Sequence, residues 1–304
     1  MDNLDSPTDA AASVSAVLDE LNLKHGLISL HSVNNNWGFS DGTDVWVKVA
    51  RMHSGLLDTE LRVVEELRQR GFQTPEPLSS ETQPVVVNDL NRSMSVWKFF
   101  PHTPMRTETQ CVVAAAEFLH NVHEARIELP VRELDMDNTL EWIKRVLSSL
   151  DSSLSKELIE RAEEGTAAVD DALQKTDSPF VFVHGDAHLG NIVETNAPST
   201  LFIDWENAIN APREWDYGKL VPPALDGTMP CGGRSLRFRD SEKAWKIIRS
   251  NTRKLDMRLL VAGANMRMIS SAVYALGFRY DEDTANRVCE YLGLEQHLNL
   301  SRHW

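Results

Sequence analysis

The run Phe180-Val-Phe-Val-His-Gly-Asp-Ala-His-Leu-Gly-Asn-Ile-Val-Glu194 sets His184, Asp186, His188 and Asn191 on a loop after an apolar strand. A second apolar run, Leu201-Phe-Ile-Asp-Trp-Glu206, ends in Asp204 and Glu206. Polar groups gathered at the ends of buried strands are costly unless they serve a site. Phosphoryl transfer uses such a set: an Asp takes the proton of the acceptor hydroxyl, an Asn five residues later binds Mg²⁺, and a further Asp bridges Mg²⁺ to the ATP phosphates. Asp186 and Asn191 have that five-residue step, and Asp204 follows thirteen residues after Asn191. Two other readings stay open at this point. His184-x-Asp186-x-His188 has the donors of a metal-dependent hydrolase, with His120 and His123 as further ligands, and a polar loop without a site is the third.

Phosphoryl transfer also needs a lysine for the nucleotide phosphates and a helical glutamate to hold it. Lys48 interrupts the apolar strand Val45-Trp-Val-Lys-Val, which is unfavourable unless its ammonium meets anionic partners. Glu60 lies one turn before Val64 and two before Leu67, on the inward face of its helix. Taken singly, a strand lysine snorkels to water and a helix glutamate faces it. Their order ahead of the Asp186 loop favours a pair. Between the first two strands, Asn34, Asn35 and Asn36 are suited to an anion-binding nest for phosphates, although the segment is not GxGxxG.

These residues belong to a chain of 304 with 42% hydrophobic and 25% charged residues, near the globular average, and long enough for two domains. The net charge of −14 repels nucleic acid and attracts a cationic small molecule. Cys111, Cys231 and Cys289 form neither a CxxC pair nor a disulfide framework. The first twelve residues lack the basic and apolar regions of a signal peptide, and no apolar run approaches a spanning length of ~20 residues. The expectation is a cytoplasmic protein with no membrane partner.

The hydrophobic period changes once, near residue 100. Before it, β-branched runs predict strands from Leu27 to Ser32, Trp37 to Ser40, Asp44 to Ala50, Pro84 to Asn88 and Ser93 to Phe99, with Asp41-Gly42 turning the second into the third. One helix interrupts them, from Asp58 to Arg70, ended by Gly71 and kept from restarting by Pro75 and Pro77. After Pro101, helical patterns appear around Cys111 to Val122 and over 138–150, 154–174, 239–250 and 255–276, broken by a β interlude at 180–205. The predicted class is α+β: residues 1–100 as a small N-lobe with an antiparallel sheet plus one helix, a hinge about 97–101, and residues 101–304 as a larger, mainly helical C-lobe.

His184-Gly-Asp-x-His188-x-x-Asn191, then Ile203-Asp204-Trp-Glu206 and Pro212-Arg-Glu-Trp-Asp216, resembles the aminoglycoside phosphotransferase and choline kinase-like superfamily, whose members share the bilobal protein-kinase-like fold. The likeness runs from about Leu27 to Leu220. It implies Asp186 as catalytic base, Asn191 and Asp204 as Mg²⁺ ligands, Lys48 as the phosphate-binding lysine and Glu60 as its partner. By the same resemblance, backbone groups of Lys98, Phe99 and Phe100 meet adenine, His184 and His188 organise the loop, and Asp216 ties the following helix to it. Glu206 is placed to reach the metal or the acceptor. Gly185 stands where protein kinases have the loop arginine, Trp205-Glu206 replaces Phe-Gly, and no activation segment ending in Ala-Pro-Glu follows, which favours a small-molecule hydroxyl over a protein substrate.

The expected activity is therefore an ATP- and Mg²⁺-dependent small-molecule O-phosphotransferase, GTP being the alternative donor. The acceptor expected from the net charge is an aminoglycoside, a basic peptide antibiotic, an amino sugar or a choline-like molecule. Candidate acceptor contacts are Glu133, Asp135, Asp137, Asp281, Glu282 and Asp283, with Trp142, Trp215, Trp245 and Trp304 for stacking. Met266 and Met268 read as core. The competing class is a kinase-fold nucleotide-binding module without turnover; a protein kinase and a metal hydrolase follow.

Overall fold

A computed structural model describes residues 7–23, 25–33, 36–50, 56–78, 85–87, 92–99, 102–104, 108–148, 150, 152–195, 200–226, 228–231, 234–237, 248–250, 255–279, 282–283, 285–286 and 288–289. In chain order the first elements are α1 (Pro7–Glu20), β1 (Ser29–Val33), β2 (Asn36–Ser40), β3 (Val45–Ala50), α2 (Leu56–Gln69), β4 (Val85–Val87), β5 (Arg92–Lys98) and β6 (His102–Pro104). There follow α3 (Glu108–Glu124), α4 (Met136–Leu147), α5 (Ser153–Lys175), β7 (Phe180–Val183), β8 (Ile192–Thr195), β9 (Thr200–Phe202) and β10 (Ile209–Pro212). The last are α6 (Glu214–Asp226), β11 (Thr228–Cys231), β12 (Arg234–Arg237) and α7 (Met257–Arg279). Two compact units result: Met1–Pro104 with Val193–Ala208, and Met105–Ile192 with Ile209–Trp304.

The first unit is an antiparallel sheet in the order β1-β2-β3-β5-β4. Strand alternation makes Val45, Val47 and Val49 share one face, and they pack with Phe39, Met94 and Val96 against Val14, Val17 and Leu18 of α1. Lys48 therefore projects to the other face. Asp41 holds the β2–β3 turn by accepting from the backbone N–H groups of Thr43, Asp44 and Val45 at 2.9–3.0 Å, and Gly42 takes a positive φ of 77° there. α2 buries Leu57, Val63, Val64 and Leu67, and with them Glu60. A three-stranded sheet, β6-β8-β9, leads the chain to Asp204.

Two differences from the sequence reading concern this unit. It has a second helix, α1, and it recruits Val193–Ala208, so the expected division at residue 100 does not capture that segment. The recruitment has a cause: Trp205, fully buried, donates its backbone N–H to Glu60 of α2, and Asp204 pairs with Lys48.

The second unit is built on α5, α6 and α7. Its core joins Leu158, Ala162 and Val169 of α5 to Trp215 of α6 and to Leu259, Met266, Ile269 and Val273 of α7. β7 and β10 pair antiparallel, Val183 opposite Ile209. An 18-residue window within Met257–Gly277 reaches a mean hydropathy of 1.3, enough by length and composition to cross a membrane, which the sequence reading passed over; 67% of it is buried in the protein. The β11–β12 hairpin was not expected either. Residues 239–247 of one predicted helix lie outside the described residues.

The crossing of α6 and α7 is close because residue 218 is glycine. A Cβ there would lie 3.0 Å from the Ala264 backbone nitrogen and 3.1 Å from the Leu260 carbonyl oxygen, neither of which can rotate away. At Gly165 an added Cβ would instead meet the flexible thioether of Met266 at 2.5 Å. In urea denaturation Gly218→Ala is expected to lose about 1–3 kcal/mol through overpacking, and Gly165→Ala less; equal losses would show that the α6–α7 crossing is not the tight one.

Candidate active site

The site residues fall into two clusters, one in each unit. In the first, β3 carries Lys48, α2 carries Glu60, and the turn after β9 carries Asp204 and Glu206. The Lys48 ammonium lies 2.9 Å from Glu60 Oε2, 2.6 Å from Asp204 Oδ1 and 2.7 Å from Glu206 Oε2. Glu60 uses its other oxygen, Oε1, to accept from the backbone N–H of Trp205 at 3.2 Å. The indole of Trp205 donates to the Phe202 carbonyl at 3.0 Å and meets the Phe202 ring edge-on. That anchor fixes the turn in which Asp204 adopts a left-handed backbone, φ 68° and ψ 55°, a strained conformation for a residue with a Cβ.

Burial works against a charged Lys48, but Asp204, Glu60 and Glu206 together hold its ammonium well above the ordinary lysine value. Burial also pushes Glu60 up to about 7; Lys48 pulls it down, while Asp204 and Glu206 push it further up. Three carboxylates therefore surround one ammonium. Oxygens of Glu60, Asp204 and Glu206 lie within 4.8 Å of one another, a hard all-oxygen donor set with surplus negative charge that fits a divalent cation such as Mg²⁺.

The second cluster is the loop after β7. Asp216 of α6, fully buried, accepts from the backbone N–H groups of His184 at 2.8 Å and Gly185 at 2.9 Å, and from His123 Nε2 of α3 at 3.0 Å. Gly185 has φ 77°, a conformation open to glycine, so the chain reverses and presents Asp186. His184 Nδ1 accepts from the Asp186 N–H at 3.2 Å and His188 Nδ1 from the Gly190 N–H at 2.9 Å. Both bonds put the ring proton on Nε2, and His188 Nε2 stands 3.5 Å from Asp186 Oδ2. Asn191 donates Nδ2 to the Asp186 carbonyl at 3.0 Å and to Oδ2 at 3.4 Å. Burial opposes ionisation of Asp186, yet Lys219, Arg267 and His188 hold its carboxyl well below the usual range. Burial opposes ionisation of Asp216 as well, but the hydrogen bond and charge of His123 together with His184 and its N–H hold the carboxyl below its ordinary value.

Lys219 and Arg267 were missed from the sequence. Lys219 Nζ is 3.1 Å and an Arg267 terminal nitrogen 3.4 Å from the same oxygen, Asp186 Oδ1. Burial, with Arg267 beside it, keeps the Lys219 ammonium below its ordinary value despite Asp186. Signals existed: Lys219 sits three residues after Asp216 on one helix face, and Arg267 is the one charge in the apolar stretch between Arg258 and Arg279.

Other expected positions divide plainly. The N–H groups of Lys98 and Phe99 are donated to Glu76 O at 2.8 Å and Asp44 O at 2.9 Å, so neither is a spare donor for adenine. Asn34, Asn35 and Phe100 lie outside the described residues; Asn36 pairs with Ala50 in the β2–β3 ladder, its side chain undescribed. The metal cage of the hydrolase reading does not form among the described residues, because His184 and His188 use Nδ1 within the loop and His123 turns to Asp216. Asp135 caps α4 by accepting from the Asn138 N–H at 3.0 Å. With Glu133, Asp137 and Asp170 it lines an acidic cavity of about 460 Å³. Trp142 and Trp215 pack on the core. Glu282 and Asp283 are exposed, whereas Trp245, Asp281 and Trp304 lie outside the described residues.

The sequence profile of the phosphotransferase enzyme family, APH, matches residues 33–239. The chain belongs to this family. Both clusters of this phosphotransferase-family chain fall inside the matched segment, apart from Arg267. A comparison with curated protein sequences gives no significant match. Among solved structures, the choline kinase LicA from Streptococcus pneumoniae is similar with a TM-score of 0.67 at 12% identity, covering 94% of this chain and 99% of that one. Amicoumacin kinase hAmiN, in complex with AMP-PNP, Ca²⁺ and its ligand Ami, has a TM-score of 0.66 at 13% identity over 94% and 96%. The spectinomycin phosphotransferase APH(9)-Ia, with ADP and spectinomycin, has a TM-score of 0.58 at 16% identity over 91% and 89%. The fold is thus the protein-kinase-like one, and family membership supports a small-molecule phosphotransferase.

Asp216 gives this family member a test of its loop anchor. Since its folded pKa lies below 3.8, its stabilisation is complete above that value and is lost as pH falls through the folded pKa. Asp216→Asn is expected to lower the unfolding free energy at pH 7 by about 2–4 kcal/mol by leaving buried N–H groups poorly paired. Urea titrations should show the gap between variant and wild type narrowing below pH 3.8; a gap independent of pH would remove the ionised carboxylate as the anchor.

Proposed function

We propose that the chain transfers the γ-phosphoryl group of ATP to a hydroxyl of a small molecule in a Mg²⁺-dependent reaction, with GTP as the alternative donor and the cytoplasm as its compartment. The observation that carries this reading is Asp186: an ionised carboxylate on a loop pinned by Asp216, with the Asn191 side chain hydrogen-bonded to it. The nucleotides named with the amicoumacin and spectinomycin enzymes support a nucleotide donor, and their small-molecule ligands support the acceptor class.

In the reaction the acceptor O–H proton passes to Asp186. The acceptor oxygen bonds the γ-phosphorus, and the bond from that phosphorus to the β,γ-bridging oxygen breaks, its electron pair leaving with ADP. A carboxylate held at low pKa suits this chemistry, in which the base orients the hydroxyl and takes its proton late. Asn191 and Asp204 would hold Mg²⁺, with Glu206 as a further oxygen donor; the ion, when bound, neutralises charge on the β- and γ-phosphates. Lys48 would meet the nucleotide phosphates, steadied by Glu60. The net charge of −14 favours approach of a cationic acceptor at long range.

Nucleotide consumption measured against a panel of hydroxyl compounds tests the assignment. Asp186→Asn should lower kcat by about 10²–10⁴-fold, the range of a lost general base, while calorimetry finds Mg·ATP affinity nearly unchanged. Asp204→Asn should instead weaken Mg²⁺-dependent nucleotide binding. Near-normal turnover in the first variant removes Asp186 as base, and retained affinity in the second removes Asp204 as a metal ligand.

A further inference from the structure

Two cations crowd one oxygen in the second unit, and among the described residues most of their hydrogen-bonding capacity is unspent. Lys219 and Arg267 approach the same atom, Asp186 Oδ1, at 3.1 and 3.4 Å. Their side chains are only 10% and 15% exposed. An ammonium has three N–H donors and a guanidinium five. Arg267 Nε is buried without a hydrogen-bond partner among the described residues. Lys219 leans over the Trp215 ring, 5.5 Å from its centroid. The next carboxylate, Asp216, attracts Lys219 through space but offers it no free oxygen: Oδ1 accepts from Gly185, and Oδ2 from His184 and His123. Locally, therefore, two cations share one oxygen of Asp186 and keep donors without a partner among the described residues, although the chain as a whole is strongly acidic.

Burying a cation with idle donors is costly unless an anion completes its shell. From this arrangement we infer that Lys219 and Arg267 form a receptor for an anionic group, a carboxylate or phosphate, carried by the acceptor beside the hydroxyl to be phosphorylated. The inference rests on the phosphotransferase reading above and names its acceptor class: a hydroxy acid or a hydroxyl-bearing phosphate ester, in place of the cationic acceptor that net charge suggests. The planar guanidinium suits a two-pronged hold on a carboxylate or phosphate, and the ammonium adds a point charge. Asp186 Oδ1 then keeps the hydroxyl end, so one molecule is held at both ends of a short span. The nucleotide's γ-phosphate is the other source of the same chemistry. In the proposed function Lys48 and the metal carboxylates already serve the nucleotide, which leaves the α6 and α7 cations for the acceptor.

The test compares glycerol 3-phosphate and glycerate with glycerol, ribose, choline and kanamycin. ADP release with Mg·ATP gives KM and kcat for each, and thermal denaturation without nucleotide reads binding alone. The variants are Arg267→Met, Lys219→Met and, as the charge-keeping control, Arg267→Lys. Expected are turnover with an anionic acceptor, a KM for that acceptor raised about tenfold or more in the Met variants, a nearly unchanged KM for ATP, and partial rescue by Arg267→Lys. Wild type should also be stabilised by glycerate or glycerol 3-phosphate, and Arg267→Met not. Turnover confined to neutral or cationic acceptors, with KM indifferent to both Met variants, overturns the receptor and leaves the phosphotransferase standing. A rise in KM for ATP alone reassigns the cations to the nucleotide and overturns it too. If no compound releases ADP, the phosphotransferase reading is the one in difficulty, and the thermal shifts still decide the receptor: anion stabilisation lost in Arg267→Met upholds it, and no stabilisation by either anion overturns it.

Discussion

Placing the ammonium of Lys48 beneath a β-sheet costs several kcal/mol unless carboxylates meet it, and much of the first unit answers that requirement. The period of two that gives Val45, Val47 and Val49 to the α1 face leaves Lys48 no choice of side. α2 answers with Glu60, and the turn after β9 answers with Asp204 and Glu206. Trp205 makes the answer rigid, because its buried indole holds the turn while its backbone N–H occupies the second oxygen of Glu60. The strain at Asp204 is the cost of aiming a carboxylate at a fixed ammonium.

In the second unit the polarity reverses: a carboxylate is the buried centre and cations come to it. Asp216 sets the loop, Gly185 supplies the backbone reversal, and the close α6–α7 crossing at Gly218 carries Lys219 and Arg267 to one oxygen of Asp186. Helix packing and site electrostatics are thus one arrangement, since a wider crossing would withdraw α6 from α7. The two units solve the same physical problem with opposite signs.

Much of this was legible in the residues. The five strands of the first sheet announced themselves by alternation and β-branched content, and α2 by its period and by Gly71, because local pattern and tertiary burial agree there. The pairing of Lys48 with Glu60 was legible for a related reason: charges placed at inward positions have to meet something. α1 was overlooked although Val14, Val17, Leu18 and Leu21 form a helical stripe, since its polar opening residues obscured it. The Gly232-Gly233 dipeptide between β11 and β12 was a hairpin signal passed over. Arg267 was hidden by its neighbours: Met266 and Met268 read correctly as core, and the charge between them was not asked for a partner. No local pattern encodes the left-handed backbone of Asp204 or the recruitment of Val193–Ala208, because both arise from contacts between segments far apart in the chain.

That recruitment has a meaning for how the molecule is made. Lys48 and Asp204 are 156 residues apart in sequence, and the whole of Met105–Ile192 is threaded between them. At a synthesis rate of roughly 5–20 residues per second, about 8–30 s pass between the emergence of the lysine and that of its carboxylate. During that interval Lys48 has Glu60 as the one carboxylate of its three, and the second oxygen of Glu60 still lacks the Trp205 N–H, so the first hundred residues hold this charge cluster only in part. The charge pair couples the maturation of the first unit to the completion of most of the chain.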